Sequence, residues 1–366
     1  MIKVSQGCLG EEELQEVKEA FEYGYFGHAY KVEQFEEALK QYLGVANAVA
    51  VNNGTNALHL AMDALGIGPG DEVIVPSLTF VASFQAVSAT GAKPVSCDVY
   101  PDTLLIDIDD VKKRITSRTR AIMPVHYAGN PCDMDKLLAL KAEHGIRIIE
   151  DAAHALGSEY QGKKVGGFGD ISCFSFDSIK NISCGEGGAV ICQDTEYAEV
   201  LRVKRTLGIE RKPGGERWQY EVSEQGFRYH MSNINAAIGL AQLKKLNSFV
   251  DRRREICRKY VQAFQNIPGI GLLRTNYNEV APHVFVILVK DGLRNGLMSF
   301  LRDHEIETGL NYIPNHLHPY YNSGYSLPAT EKAYDEILTI PLHCRMTDND
   351  VDEVIVRIQE FFNGRG

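Results

Sequence analysis

At 366 residues, with 44% hydrophobic and 23% charged residues, the chain is long enough to bury a large core and exceeds the usual size of one domain. A formal net charge of −10 argues against broad contact with a nucleic-acid backbone, and no apolar run approaches the roughly 20 residues that a membrane-spanning helix needs. The polar, acidic start MIKVSQGCLGEEELQEV lacks the basic-then-apolar layout of a secretion signal, and eight scattered cysteines without a CxxC pair read as reduced thiols, so a cytoplasmic location is expected.

In chain order, EEELQEVKEAFEY (11–23) and VEQFEEALKQYL (32–43) carry helical apolar spacing with charged outer faces. Short β-branched runs follow at 48–51, 73–76, 94–99, 121–125, 146–151, 171–176 and 189–192. Helical stretches separate several of them, at 56–65, 80–90 and 134–144. This alternation predicts an α/β domain with a mainly parallel sheet covered on both faces. A long helix is expected over 235–265, and its run DRRREICRK reads as a solvated face. After Pro268 come a strand-like run, HVFVILV (283–289), and helical ones near 296–304 and 348–362. The expected division is a large α/β domain over 1–240, with the N-terminal helical segment, and a small α+β domain over 241–366.

In open α/β sheets, ligands sit beyond the carboxyl ends of the strands, so the residues that follow each strand are the candidates. After AVAV, Gly54, Thr55 and Asn56 open a helix; such a turn is either an anion site, where backbone N–H groups and the helix dipole meet phosphate, or plain turn-and-cap chemistry. After VIVP, Phe80 is either core or a platform for a ring. Asp151 ends an apolar strand and precedes His154; it is either a helix cap or a buried acid that needs a cationic partner, such as a cofactor nitrogen. After ISCFSF come Lys180 and GEGG. A phosphate cradle, an aromatic face, a carboxylate and a lysine are the parts needed to hold pyridoxal phosphate. GIGPGD (66–71) follows a helix where a dinucleotide site needs a strand, there is no GxxxxGK[ST], and His316 and His318 lack further metal ligands nearby, so no metal is expected.

With KVEQFEEAL, NNGTNALHLAM, GPGDEVIVPSLTF, PVHYAG, IIEDAAHALG, FSFDSIKNISCGEGG, FRYHMSNINAAIGLAQL and IPLH in the same order, the chain resembles the DegT/DnrJ/EryC1/StrS sugar aminotransferases. The resemblance implies fold type I, aspartate-aminotransferase-like, with a mainly parallel seven-stranded sheet and a small C-terminal domain. It implies that Lys180 forms the Schiff base with pyridoxal phosphate, that Asp151 keeps the pyridinium nitrogen protonated, and that His154 sits by the ring while Phe80 stacks on it. Gly54, Thr55, Asn56 and Ser175 are then the phosphate contacts. Asn233 is expected to reach the phosphate of a neighbouring subunit, in a homodimer with shared active sites.

By the same resemblance the donor is glutamate, which leaves as 2-oxoglutarate, and the acceptor is a keto sugar on a nucleotide diphosphate. Cations for that diphosphate are expected from 202–217, unless that segment is only a solvated loop, and sugar contacts from Asn311, Tyr312 and His318. One departure stands out: many relatives have His-Pro three residues before the lysine, where this chain has Asp177 and Ser178. Two other readings are a sugar dehydratase, against which Lys180 itself speaks, since such relatives carry histidine there, and a non-catalytic regulator, against which all three cofactor elements speak.

Overall fold

The computed structural model describes every residue except 212, 213, 215, 217, 323, 365 and 366. Two helices, α1 (Glu11–Tyr23) and α2 (Tyr30–Leu43), lead into β1 (Asn47–Val51) and α3 (Gly54–Ala64). Then β2 (Glu72–Pro76), α4 (Val81–Ala89), β3 (Lys93–Cys97), α5 (Ile108–Arg114), β4 (Thr119–Ile122), α6 (Met134–His144) and β5 (Arg147–Asp151) alternate. A small hairpin of β6 (Glu159–Tyr160) and β7 (Lys163–Lys164) precedes β8 (Ile171–Ser175) and β9 (Gly188–Cys192). The seven long strands form one sheet in the order β1-β9-β8-β5-β4-β2-β3, parallel throughout except for β9, which runs against both neighbours.

Most strand positions are buried and apolar, because helices cover both faces. On one face, Phe35 and Leu39 of α2 pack with Phe174 and Phe176; on the other, α3 lays Leu58, Ala61 and Met62 against Val73, Val75 and Val190. After α7 (Thr195–Lys204) and a hairpin of β10 (Ile209–Arg211) and β11 (Tyr220–Val222), α8 runs unbroken from Asn233 to Phe264. A three-stranded sheet of β12 (Ile270–Leu272), β13 (Phe285–Val289) and β14 (Ile337–Ile340), with α9 (Arg294–Asp303), α10 (Pro328–Glu336) and α11 (Asp348–Asn363), completes the chain.

The division at 240/241 falls inside α8. Its residues as far as Val250 serve the core under the large sheet, and those from Ile256 onward pack with Phe285, Leu338 and Ile358. The basic run of α8 departs from a solvated face. Arg253 is buried and donates from Nη1 to the carbonyls of Pro282 (3.3 Å) and His283 (2.9 Å), while Arg254 Nε donates to Val280 O (2.8 Å). Guanidinium donors there satisfy carbonyls leading into β13, which a charge pattern on one helix does not reveal. None of the described helices is long and apolar enough to cross a membrane.

Candidate active site

A cavity of about 380 Å³ opens at the carboxyl ends of β1, β2, β5 and β8, the crevice where a parallel sheet exposes its loops. Lys180, Asp151, His154, Phe80, Ser175 and the Gly54–Thr55 turn all line it. Four strand ends distant in sequence meet there because the strands belong to one sheet.

Asp151 lies at its floor. Hydrogen bonding along β5 directs it and Glu150 to opposite faces of the sheet. Ser83 Oγ donates to Asp151 Oδ2 (2.8 Å) and Ala153 N–H to Oδ1 (3.2 Å). Burial nonetheless pushes the Asp151 carboxyl above its ordinary range, against these bonds and the Lys180 charge. An under-compensated buried acid facing a cavity is suited to a protonated ring nitrogen. Glu150 is also buried, but its pKa is held below the usual carboxylate range despite desolvation, so it stays charged. His126 Nε2–H (3.0 Å), Gly169 N–H (2.7 Å) and Ser172 Oγ (2.6 Å) all donate to it. Cys132 N–H donates to His126 Nδ1 (3.1 Å), which sets that tautomer.

Lys180 follows β8 on a turn closed by its own N–H to Asp177 O (3.0 Å). Burial lowers its pKa to about 8, against the carboxylates of Asp151 and Asp177. A lysine so depressed is neutral in part near neutral pH and is competent as nucleophile and base.

The helix start at Gly54 forms the anion-binding side. Asn53 Oδ1 caps α3 by accepting from Asn56 N (2.8 Å), while the Asn56 amide donates to Asn52 Oδ1 (2.8 Å). Asn56, expected among the phosphate contacts, is turned to the cap and is not among the residues that line the cavity. Gly54 and Thr55 keep the anion-facing position. A Cβ on Gly54 would stand 2.7 Å from Ser175 Cβ, so only glycine lets the turn approach β8 closely enough for Ser175 to share the cradle.

Phe80, 54% exposed at the start of α4, stands with its ring 5.5 Å from that of Tyr312. Tyr312 OH donates to His154 Nε2 (3.0 Å), and the two rings stack at 5.9 Å. Burial and the Lys180 charge depress His154 well below an ordinary histidine, so it is neutral; Nδ1 then carries the proton and is a buried donor without a partner among the described residues. Behind it lies the His283 ring, at 4.4 Å and buried.

Of the three residues expected to meet the sugar, Asn311 and Tyr312 line the cavity and His318 is not among its lining residues. The turn Asn315–Leu317 is pinned to the end of β2: Asn315 Nδ2 donates to the carbonyls of Ser77 (3.1 Å) and Thr79 (2.8 Å). Ser77 Oγ–H donates to His316 Nδ1 (2.7 Å), which fixes His316 inward and carries His318 away. Asn233 also lies elsewhere. It is fully buried, accepts from Lys31 N (3.0 Å) and donates to Tyr25 O (3.2 Å), so it holds the 25–31 segment of its own chain. In 202–217, Lys204 is paired with Asp63 and Glu224, and Arg205 with Glu36, while Arg211 is exposed; Lys212 and Arg217 lie outside the described residues.

Sequence reasoning missed Asn53, Ser83, His283 and Glu186. Ser83 offered one signal, its place one helical turn beyond Phe80; the others had none beyond their final position.

An acid for a ring nitrogen, a depressed lysine, a glycine cradle at a helix start and an exposed aromatic fit pyridoxal phosphate, and with this sheet they define a fold type I pyridoxal-phosphate transferase. The profile of the DegT/DnrJ/EryC1/StrS aminotransferase family matches residues 7–359, and the chain belongs to that family of sugar aminotransferases. It is 40% identical to the spore coat polysaccharide biosynthesis protein SpsC of Bacillus subtilis (strain 168), over 97% of this chain and 96% of that protein. The structure superposes on the aminotransferase TlmJ from Streptoalloteichus hindustanus with a TM-score of 0.95, 35% identity and 100% of both chains covered. It also matches the PLP form of the putative sugar aminotransferase Spr1654 from Streptococcus pneumoniae, with a TM-score of 0.93, 29% identity and 99% of both chains covered. The protein is a pyridoxal-phosphate-dependent aminotransferase.

Proposed function

We propose that the protein transfers an amino group from L-glutamate to a 3- or 4-keto deoxy sugar carried on a nucleotide diphosphate, in the cytoplasm, for a surface polysaccharide such as O-antigen or for a glycosylated metabolite. The convergence of Lys180, Asp151 and the Gly54 turn on one cavity carries this reading, together with membership of a sugar aminotransferase family. The relation to a spore coat polysaccharide protein supports a polysaccharide product.

When bound, pyridoxal phosphate supplies an electron-sink ring that carries the amino group between the two substrates. Lys180 Nζ, made partly neutral by burial, takes the donor's α-proton and later returns a proton on the acceptor side. Asp151 supplies the negative charge that keeps the ring nitrogen protonated. Phe80 and Tyr312 flank the opening and exclude water from one side of the ring. Asn311 and Tyr312 reach the sugar, and Arg211 is the described cation of 202–217 available to a diphosphate.

A homodimer is part of the proposal. Exposed Phe21, Tyr25, Phe26 and Trp218 are supporting features that a second copy would cover. The test is a panel of 3-keto and 4-keto nucleotide sugars offered to protein loaded with pyridoxamine phosphate. Formation of an amino sugar from one of them, with glutamate regenerating the loaded form, is expected. Failure across the panel, with amine transfer to 2-oxo acids alone, would point to a different acceptor class.

A further inference from the structure

Two carboxylates act on Lys180, and only Asp151 has a place in the reading above. The second, Asp177, sits three residues before the lysine on the same turn. Its backbone carbonyl accepts from Lys180 N (3.0 Å), its N–H donates to Ser175 Oγ (3.4 Å), and its Oδ1 accepts from Ile179 N (3.2 Å). The first two bonds hold the backbone of the turn and the third holds the carboxylate, and Asp177, Ser175 and Lys180 all line the cavity.

We infer that Asp177 is a positioning residue for the reacting amine: its carboxylate, pinned to the cavity wall by Ile179 N–H, is the second anion that retains the proton on Lys180 Nζ while the lysine is free.

The surroundings favour that role. Around Lys180 stand His154 after β5 and His283 before β13, both neutral because burial and the Lys180 charge depress them. Tyr312 is also neutral, since burial raises its hydroxyl. Glu186, in the turn into β9, bears on Asp177: burial and then the Asp177 charge raise its carboxyl. Asp151 is committed to the floor by Ser83 and Ala153. Desolvation alone therefore pulls Lys180 toward permanent neutrality, which leaves it a base but a poor acid. An amine that both takes and returns a proton needs the two states close in energy near the working pH. Asp151 opposes desolvation first and Asp177 adds to it, from the turn that carries Lys180 rather than from the ring-nitrogen site.

The inference rests on Lys180 being the reacting amine of the proposed transfer, but its test needs neither cofactor nor substrate. The full-length chain, freed of cofactor, is labelled with an amine-reactive acylating reagent over a range centred on about pH 8, and Lys180 modification is followed by peptide mass spectrometry. Asp177→Asn keeps an oxygen for Ile179 N–H, so the turn survives while the charge is lost. The midpoint for Lys180 labelling is expected to fall by about one pH unit, which below the midpoint means roughly tenfold faster labelling. Asp177→Glu should return it toward the starting value, and Glu186→Gln should leave it in place. Asp177→Ser, which also offers an oxygen to Ile179 N–H, repeats the measurement if the Asn variant folds poorly. A midpoint unmoved in both neutral variants, or one that Glu186→Gln moves as far, overturns the inference and leaves Asp177 a turn residue. The proposed function fails separately, by absence of amine transfer in the loaded protein.

Discussion

The two sides of the cavity are built by different physics. The strand-end side, with Asp151, Ser175, Lys180 and the Gly54 turn, hangs on a continuous hydrogen-bonded sheet and on the start of α3, so each group inherits the rigidity of a strand or helix. The opposite side, Asn311–His316, is irregular chain held by side-chain bonds across more than 230 residues of sequence, from Asn315 and His316 to Ser77 and Thr79. On the proposed reading, chemistry that tolerates no displacement falls on the first side and groups that meet the substrate on the second, where a loop can vary without disturbing the sheet.

Substitutions can break this contrast. The largest effect is expected from Lys180→Ala, which removes the amine that moves the proton; turnover should fall by about 10³-fold or more in a steady-state assay, while thermal stability stays close to the parent. Next comes Asp151→Asn, which keeps the bond to Ser83 but removes the charge. A loss of kcat of about 10²-fold is expected with little change in KM for the sugar, and a rise in KM alone would show that the acid only shapes the pocket. Gly54→Ala forces the turn away from Ser175 and should weaken cofactor binding by roughly tenfold or more, measured by equilibrium titration of the cofactor's visible band.

On the second side the order of effects should reverse, with stability and KM moving before kcat. Asn315→Ala leaves the buried Thr79 carbonyl without its donor, while Ser77 O keeps the backbone N–H of residue 315, and should cost about 1–3 kcal/mol in denaturant unfolding, with a higher KM for the sugar. The smallest effect is expected from Tyr312→Phe, which removes one hydrogen bond to His154 and should change kcat/KM severalfold at most. If Asn315→Ala lowered kcat as steeply as Asp151→Asn, the two sides would not be separable.

Much of the first side was legible in advance. Apolar runs ending in Asp151 and in FSF, and a Gly-Thr pair opening a helix, carry their meaning locally, because strand ends and helix starts have known directions. The Asn56 N–H has two possible acceptors, and nothing in the residues says that the Asn53 side chain is at hand. His318 is polar and close in sequence to Asn311 and Tyr312, yet its place follows from the neighbouring turn, which is pinned to the end of β2 by remote partners. Arg253 shows the same limit, since a charge within a helical pattern gives no sign that carbonyls from 282–283 will come to meet it.

The sequence by itself determined the alternation of strands and helices and the parallel sheet, and it marked the lysine, acid and glycine turn as candidates at strand ends, since periodicity and turn chemistry are short-range properties. Only the tertiary structure decided which polar groups remain free to serve a ligand. That depends on competition among donors and acceptors brought together by folding, and it is why Ser83 faces Asp151, His283 backs His154, and Asp177 holds a fixed charge beside Lys180.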